Sequence, residues 1–279
     1  MPLFDGDSVL VIAGKLVIDE VLQCAYPVRA GEQQRAVSRT LGGGGQVWHT
    51  ARAAAAAGVA VRVTGRCGSD PDTEAVRRRL TDAGIDDRLL PAGEASRAVV
   101  LVDPGGERTI VSHSGHGRLD AERLPIDVLL NRAVLLHLDG YALDDTTGDA
   151  LVRLAESAAR REIPICLEPP AAQTVDQRRD RLAALPALFA LLGRPDEVAA
   201  AHTHLGAAPA LTVVHDQHRD VVITAASGSR RHPVPAAPDL PTLGAGDRFT
   251  GGWLAAVVRG EDPDTAVAAG VRAAQTSRW

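Results

Sequence analysis

The chain has 279 residues, 45% of them hydrophobic but only 3% aromatic, and a formal net charge of −5. That length suits one large α/β domain with an aliphatic core, and the acidic balance argues against nucleic acid as a partner, because a phosphate-tracking protein presents a basic face. Lys15 is the sole lysine among 30 basic residues, which reads as compositional bias rather than a built arginine patch.

Cys24, Cys67 and Cys166 are odd in number, far apart and without CxxC spacing. Neither a disulfide framework nor a zinc site is expected from them, and a reducing cytoplasm fits. The start, MPLFDGDS, carries acidic residues where a secretory leader needs a basic region. AAAAAGVAVRV is too short and too Arg-flanked for a bilayer span, so no membrane or targeting segment is expected.

SVLVIAG reads as a buried first strand ending in glycine. After Gly44 and Gly45, residues 47 to 57 read as a small-residue helix closed by Gly58, and VAVRVTG as the next strand. DPDTEAVRRRLTDAG predicts a helix capped by Asp70 or Asp72 and closed by Gly84. RAVVLVDPGGERTIVS, 97 to 112, holds two β-rich runs joined by Pro-Gly-Gly, a hairpin signal. Then follow AVLLHLDG (strand), DDTTGDALVRLAESAARR (helix), IPICLEP and LPALFALLG (strands), RPDEVAAAHTHLG (helix) and ALTVVHD (strand). The Pro-rich RHPVPAAPDLP reads as a loop. The alternation predicts a parallel sheet covered by helices on both faces. Segments of about 15–35 and 97–112 fall outside that rhythm and are expected to form a small second sheet inside a single domain spanning 1–279.

PTLGAGDRFTGGW, 241 to 253, is the informative stretch. Phe249, Trp253, Leu254 and Val257 recur at helical spacing, so Gly244 to Asp247 fall at a helix N-terminus. An aspartate there is ordinarily a cap. A cap needs no glycines, however, and Gly244, Ala245 and Gly246 strip the approach of side chains, which leaves peptide N–H groups open to an anion. A P-loop is ruled out, since no GxxxxGK[ST] string exists and the only lysine is Lys15. A dinucleotide fingerprint fits poorly, with Phe249 where the third glycine belongs and a Pro-rich stretch where a strand should precede.

These residues resemble the ribokinase-like, or PfkB-type, carbohydrate and nucleoside kinases, whose C-terminal signature is approximately Asp-Thr-x-Gly-Ala-Gly-Asp-x-Phe-x-x-Gly. The match runs through Thr242, Gly244, Ala245, Gly246, Asp247, Phe249 and Gly252 and departs at Pro241. GKLVIDEV is similar to the family's first-strand exit, and GGQVWHTARAAAAAGVAVRVTGRCGSDPDTE to its N-terminal signature. CLEPP stands at an Asp-Pro-Asn position and GRPDEVAA at an Asn-x-x-Glu position. The resemblance spans nearly the whole chain.

It implies an α/β, ribokinase-like three-layer αβα sandwich with a mostly parallel central sheet, plus a small β-sheet lid that often doubles as a dimer interface. It implies an ATP-dependent, cytoplasmic phosphotransferase acting on an alcohol group of a sugar or nucleoside-like molecule, with Asp247 as base and the backbone of Gly244, Ala245 and Gly246 as anion hole. Asp19, Gly44, Gly45, His49 and His116 fall at substrate positions; Arg194, Glu197, His215 and Thr242 fall at nucleotide positions, with Glu197 holding Mg²⁺ through water. A monovalent cation site is a further family feature.

Departures bear on these expectations. His49 stands where the family has Asn, Arg194 replaces a polar amide, and HDQHRD, 215 to 220, keeps neither glycine of a Thr-x-Gly-x-x-Gly turn. His49 points to an unusual substrate, while Pro241, Arg194 and the 215–220 turn support a rival reading, a catalytically weak relative that binds sugar or nucleotide as a sensor or partner protein. His202, His204, His215 and His218 show no zinc-ligand pattern.

Overall fold

The computed structural model describes residues 8–216, 219–234 and 244–276. Its first strand, β1 (Val9–Lys15), is apolar on both faces, as expected of a strand in the middle of a helix-covered parallel sheet. The chain then leaves the main body for β2 (Val17–Cys24) and β3 (Ala36–Gly44) and returns through α1 (Gly45–Ala56), β4 (Ala60–Cys67), α2 (Pro71–Asp82) and β5 (Asp86–Pro91). A second excursion forms β6 (Ser96–Val102) and β7 (Arg108–His113). The rest alternates: α3 (Ile126–Leu129), β8 (Ala133–Asp139), α4 (Gly148–Ala159), β9 (Ile165–Glu168), α5 (Arg179–Ala184), β10 (Ala190–Gly193), α6 (Pro195–His202) and β11 (Leu211–Asp216). β12 (Arg219–Ala225), β13 (Gly228–His232), α7 (Ala245–Val258) and α8 (Pro263–Gln275) complete it.

Nine strands make the large sheet, in the order β13-β12-β11-β10-β9-β8-β1-β4-β5, parallel from β11 to β5 with β12 and β13 antiparallel at one edge. Side chains of β1 alternate between two cores. Leu10 and Ile12 join Val47, Val76, Trp253 and Ala266 under α1, α2, α7 and α8. Val11 and Ala13 join Leu129, Leu151, Leu182 and Val198 under α3 to α6. The chain therefore has the expected three layers, a ribokinase-like α/β architecture. No helix among the described residues is long and apolar enough to cross a membrane.

The small sheet has the order β3-β2-β6-β7, with β2 and β6 parallel and both outer pairs antiparallel. It takes in residues 36–44, beyond the 15–35 span expected of its first segment. The reason is visible in β3: Ala36 to Thr40 is exposed and reads as loop, and pairing with β2 is what makes it a strand. Similarly, LPALFALLG forms a strand only over Ala190–Gly193, the residues that pair with β9 and β11. Asp70 caps α2, accepting from the Thr73 N–H at 3.1 Å.

Arg66 holds the second excursion to the body. Its side chain, buried at the end of β4, donates to the carbonyls of Ala92 (2.9 Å), Glu94 (2.5 Å), Ser114 (3.0 Å) and His116 (2.7 Å). One planar guanidinium thus fastens both the outgoing and the returning strand.

Candidate active site

Carboxylates gather where the parallel strands end. Asp139 closes β8 and Glu168 closes β9, while Lys15 closes β1 and Gly193 closes β10. Ligands of open α/β sheets bind beyond this edge. Gly14 is required here because a β-carbon on it would lie 2.4 Å from Asp139 Cβ. The Lys15 ammonium is paired with Asp144, and its backbone N–H donates to Asp139 Oδ2 at 3.3 Å.

α7 brings the Gly-Ala-Gly-Asp segment to this edge. Gly244, its N-cap, adopts left-handed backbone (φ 67°) and contributes no side-chain cap. The next N–H groups, of Ala245, Gly246 and Asp247, have no acceptor within the helix and point along the positive end of its dipole. The ring of His49, from α1, lies directly against Gly244, where a β-carbon would approach its Cδ2 and Cγ at 2.8 Å. Beneath Gly246 lies His215, whose ring is 4.6 Å from that of Phe249. α1 and α7 touch through small residues: Thr50 donates its hydroxyl to the Asp247 carbonyl at 3.2 Å, and Gly251 faces the Thr50 carbonyl.

Asp247 is therefore a first-turn residue aimed at the carboxylate edge rather than a helix cap. Its carboxyl is pushed up to about 7 by burial and by the charges of Asp139, Glu197 and Asp19, against the pull of Arg248. That Asp19 contributes places the two ends of the site in one electrostatic field. Asp19, on β2, is itself raised to about 7 by burial, and Gly44 lies flat against its carboxylate. Gly45 (φ 75°) packs on Val17. Asp139 is raised to about 6 by burial, offset in part by Lys15. Glu168 is driven well above the ordinary carboxylate range by burial and then by Asp247. His49 and His215 are both held down to about 4 by burial, so both are neutral imidazoles at pH 7.

On the nucleotide side, Glu197 stands in the first turn of α6 and accepts the Arg194 N–H at 3.0 Å, which is a structural role in its own right. The Arg194 side chain is mostly exposed and lies 3.6 Å from Asp196. Thr242, Pro241 and His218 fall outside the described residues. His116 is 85% exposed and faces Glu94 and His113.

Asp139 was not singled out from the sequence, and Glu168 was reached only as part of the CLEPP segment. The signal that could have found the two acids is positional: each is the last residue of a mostly apolar strand. Glu168 Oε2, both ring nitrogens of His137 and Nε2 of His215 are buried without a hydrogen-bond partner. Beside His49 opens a groove of about 830 Å³ lined by Arg52, Arg79, Arg248, Arg259 and Arg272, with no carboxylate side chain among the described residues of its lining.

Residues 10–278 match the family described as pfkB family carbohydrate kinase. The chain belongs to that family. It is 26% identical over 239 residues to an ATP-dependent ribose-1-phosphate kinase of Halopiger xanaduensis, covering 82% of this chain and 78% of the relative. It is 28% identical over 204 residues to YegV, an uncharacterized sugar kinase of Escherichia coli, covering 67% and 62%. Among solved structures, adenosine kinase from Sinorhizobium meliloti superposes with a TM-score of 0.81 at 18% identity, covering 96% of this chain and 92% of that one. Ribokinase from Thermotoga maritima superposes at 0.75 and 21%, with the same coverages. As a PfkB carbohydrate kinase, the chain is an enzyme whose substrates are small molecules.

Proposed function

We propose that this PfkB kinase transfers the γ-phosphate of ATP to a hydroxyl of a sugar or nucleoside-like acceptor, with Asp247 as general base. The observation that carries the reading is the alignment of Asp247 with three side-chain-poor peptide units at the start of α7, facing Asp19 across the carboxylate edge. In-line phosphoryl transfer asks a protein mainly for position and charge stabilisation. Asp19 accepts hydrogen bonds from acceptor hydroxyls, and Gly44 and Gly45 let the acceptor lie against backbone. The N–H groups of Ala245, Gly246 and Asp247 stabilise the transferring group, each well-placed donor contributing about 3 kcal/mol.

An aspartate at its ordinary value of 3.8 is a weak base, and the raised value of about 7 makes Asp247 a better one. It still lies far below an alcohol, so the proton moves late, as the O–P bond forms. Neutral His49 can donate or accept one bond through its ring but cannot present both groups of an amide.

The donor set fits Mg²⁺. Asp139, Glu168, Glu197 and Asp247 repel one another, and Glu168 Oε2, 4.0 Å from the neutral His137 ring, is buried without a hydrogen bond, an arrangement that a hard cation relieves. Glu168 and Glu197 would hold the ion, directly or through water, and it would supply charge neutralisation on the nucleotide phosphates. His215 and Arg194 border the same side.

The arginine-lined groove beside His49 favours an acceptor that already carries an anionic group, in keeping with the name of the Halopiger xanaduensis relative. The exposed Val37 on β3 and Val111 on β7 lie on the two outer strands of the small sheet and support a homodimer formed through this lid.

The test is a phosphotransfer screen of sugars, nucleosides and their monophosphates with wild type and Asp247→Asn. Turnover by wild type that is lost in the variant, with acceptor binding retained, is expected. Ligand-induced stabilisation without ATP consumption across the panel would replace this reading with that of a binding protein.

A further inference from the structure

The two strands that tie the small sheet's second excursion to the body run in contact. Glu94 donates its N–H to the His116 carbonyl at 2.7 Å, and three glycines make the approach possible. A β-carbon on Gly93 would lie 2.2 Å from the His116 carbonyl, one on Gly117 2.3 Å from the Ala92 carbonyl, and one on Gly115 2.5 Å from the Glu94 carbonyl. Arg66 clamps the same four-carbonyl crossing from inside. The backbone is thus fixed at the point where Glu94, His113 and His116 project together to the outside.

We propose that Glu94, His113 and His116 form a binding site for a divalent transition metal ion of the Zn²⁺ class. Their ligand atoms all lie within 4.8 Å of one another. Two ligands bound at about 2.1 Å to one tetrahedral ion stand about 3.4 Å apart. Glu94 Oε2 is 3.3 Å from His113 Nε2 and 3.9 Å from His116 Nε2. The side chains are half or more exposed, so an ion has a path in and the remaining coordination positions are open to water. Two imidazoles and one carboxylate suit Zn²⁺, Co²⁺ or Ni²⁺ rather than Mg²⁺, which prefers oxygen throughout. This site is therefore chemically separate from the carboxylate edge.

The ligands come from both strands of the crossing, Glu94 just ahead of β6 and the histidines at and just after the end of β7. A bound ion cross-links them from outside as Arg66 does from inside. Its consequence is mechanical: it stiffens the base on which β6 and β7 stand.

The experiment uses untagged protein, stripped with chelator and desalted. It is titrated with Zn²⁺ by calorimetry and with Co²⁺ by visible absorption, in the presence of excess Mg²⁺. One equivalent is expected to bind, to raise the melting temperature and to slow amide exchange over residues 92–97 and 112–117. Affinity should fall at least about 100-fold in His113→Ala/His116→Ala and about 10-fold or more in Glu94→Gln. All three side chains are exposed, and each variant's melting temperature without metal verifies its fold. Absence of stoichiometric binding by wild type, or binding unchanged in the double-histidine variant, overturns the proposal. Neither result touches the kinase reading, which rests on other residues.

Discussion

The α-carbon of Gly44 lies so close to Asp19 that a β-carbon there would stand 2.0 Å from the carboxylate. Asp19 is buried in the small sheet, so its carboxylate must shift to relieve that overlap. Gly44→Ala is expected to displace the Asp19 carboxylate and raise KM for the acceptor by at least about tenfold, with the KM for ATP little changed. Steady-state kinetics with each substrate varied in turn checks this, and an unaltered acceptor KM would remove Asp19 from the acceptor site.

Replacing Asp247 by Asn should lower kcat by about 100-fold or more, the range for loss of a general base. The same variant should be more stable than wild type at pH 8. The folded-state value of Asp247 lies above its unfolded value of 3.8, at about 7. Its contribution to stability is therefore fully present below pH 3.8 and lost as pH rises through 7. The gain in melting temperature should be largest above pH 7 and shrink as pH falls toward 4, which a thermal melt series measures.

Activity should also depend on pH in an unusual range for carboxylates. Asp247 and Asp19 are both raised to about 7, in each case chiefly by burial, and the proposed reaction uses both in the ionised form. Log kcat/KM should thus climb with pH and level off above about 7, falling below it with a slope between one and two. A profile flat down to pH 5 would contradict the enclosed site.

Arg66 serves four carbonyls at once. Arg66→Lys keeps the charge but cannot reproduce the planar fork, and leaves buried acceptors unpaired. A loss of about 3 kcal/mol in stability is expected, read from denaturant unfolding. Amide exchange should accelerate first over residues 92–97 and 112–117.

Val37 is 68% exposed and Val111 63% exposed, on opposite edges of the same small sheet. Wild type is expected to sediment as a dimer and Val111→Asp as a monomer at micromolar concentration. A monomeric wild type would assign the exposed valines no partner of this kind.

The layered sheet was legible because apolar runs ending in glycine and capped helices leave strong local signals; β1, α2 and α7 follow from a few residues each. The Gly-Ala-Gly-Asp segment was legible for the same reason, since bare peptide units before an aspartate have few purposes. β5 was not, because Asp86, Asp87 and Arg88 read as polar turn and become strand only by pairing with β4. Asp139 was missed, and Glu168 reached only within CLEPP, because their meaning is topological: a strand-end acid is ordinary until neighbouring strands bring a second one beside it. Arg66 was hidden for a similar reason, its partners being carbonyls 26 to 50 positions away, which carry no residue-type signature.

β2 and β6 pair in parallel although they belong to separate departures from the large sheet, one before α1 and one after β5. The small sheet consequently cannot assemble until distant parts of the polypeptide have met, and the start of α7 likewise depends on α1, since the Thr50 hydroxyl reaches the Asp247 carbonyl 197 positions away. No contiguous stretch of the chain can therefore carry either end of the candidate site on its own.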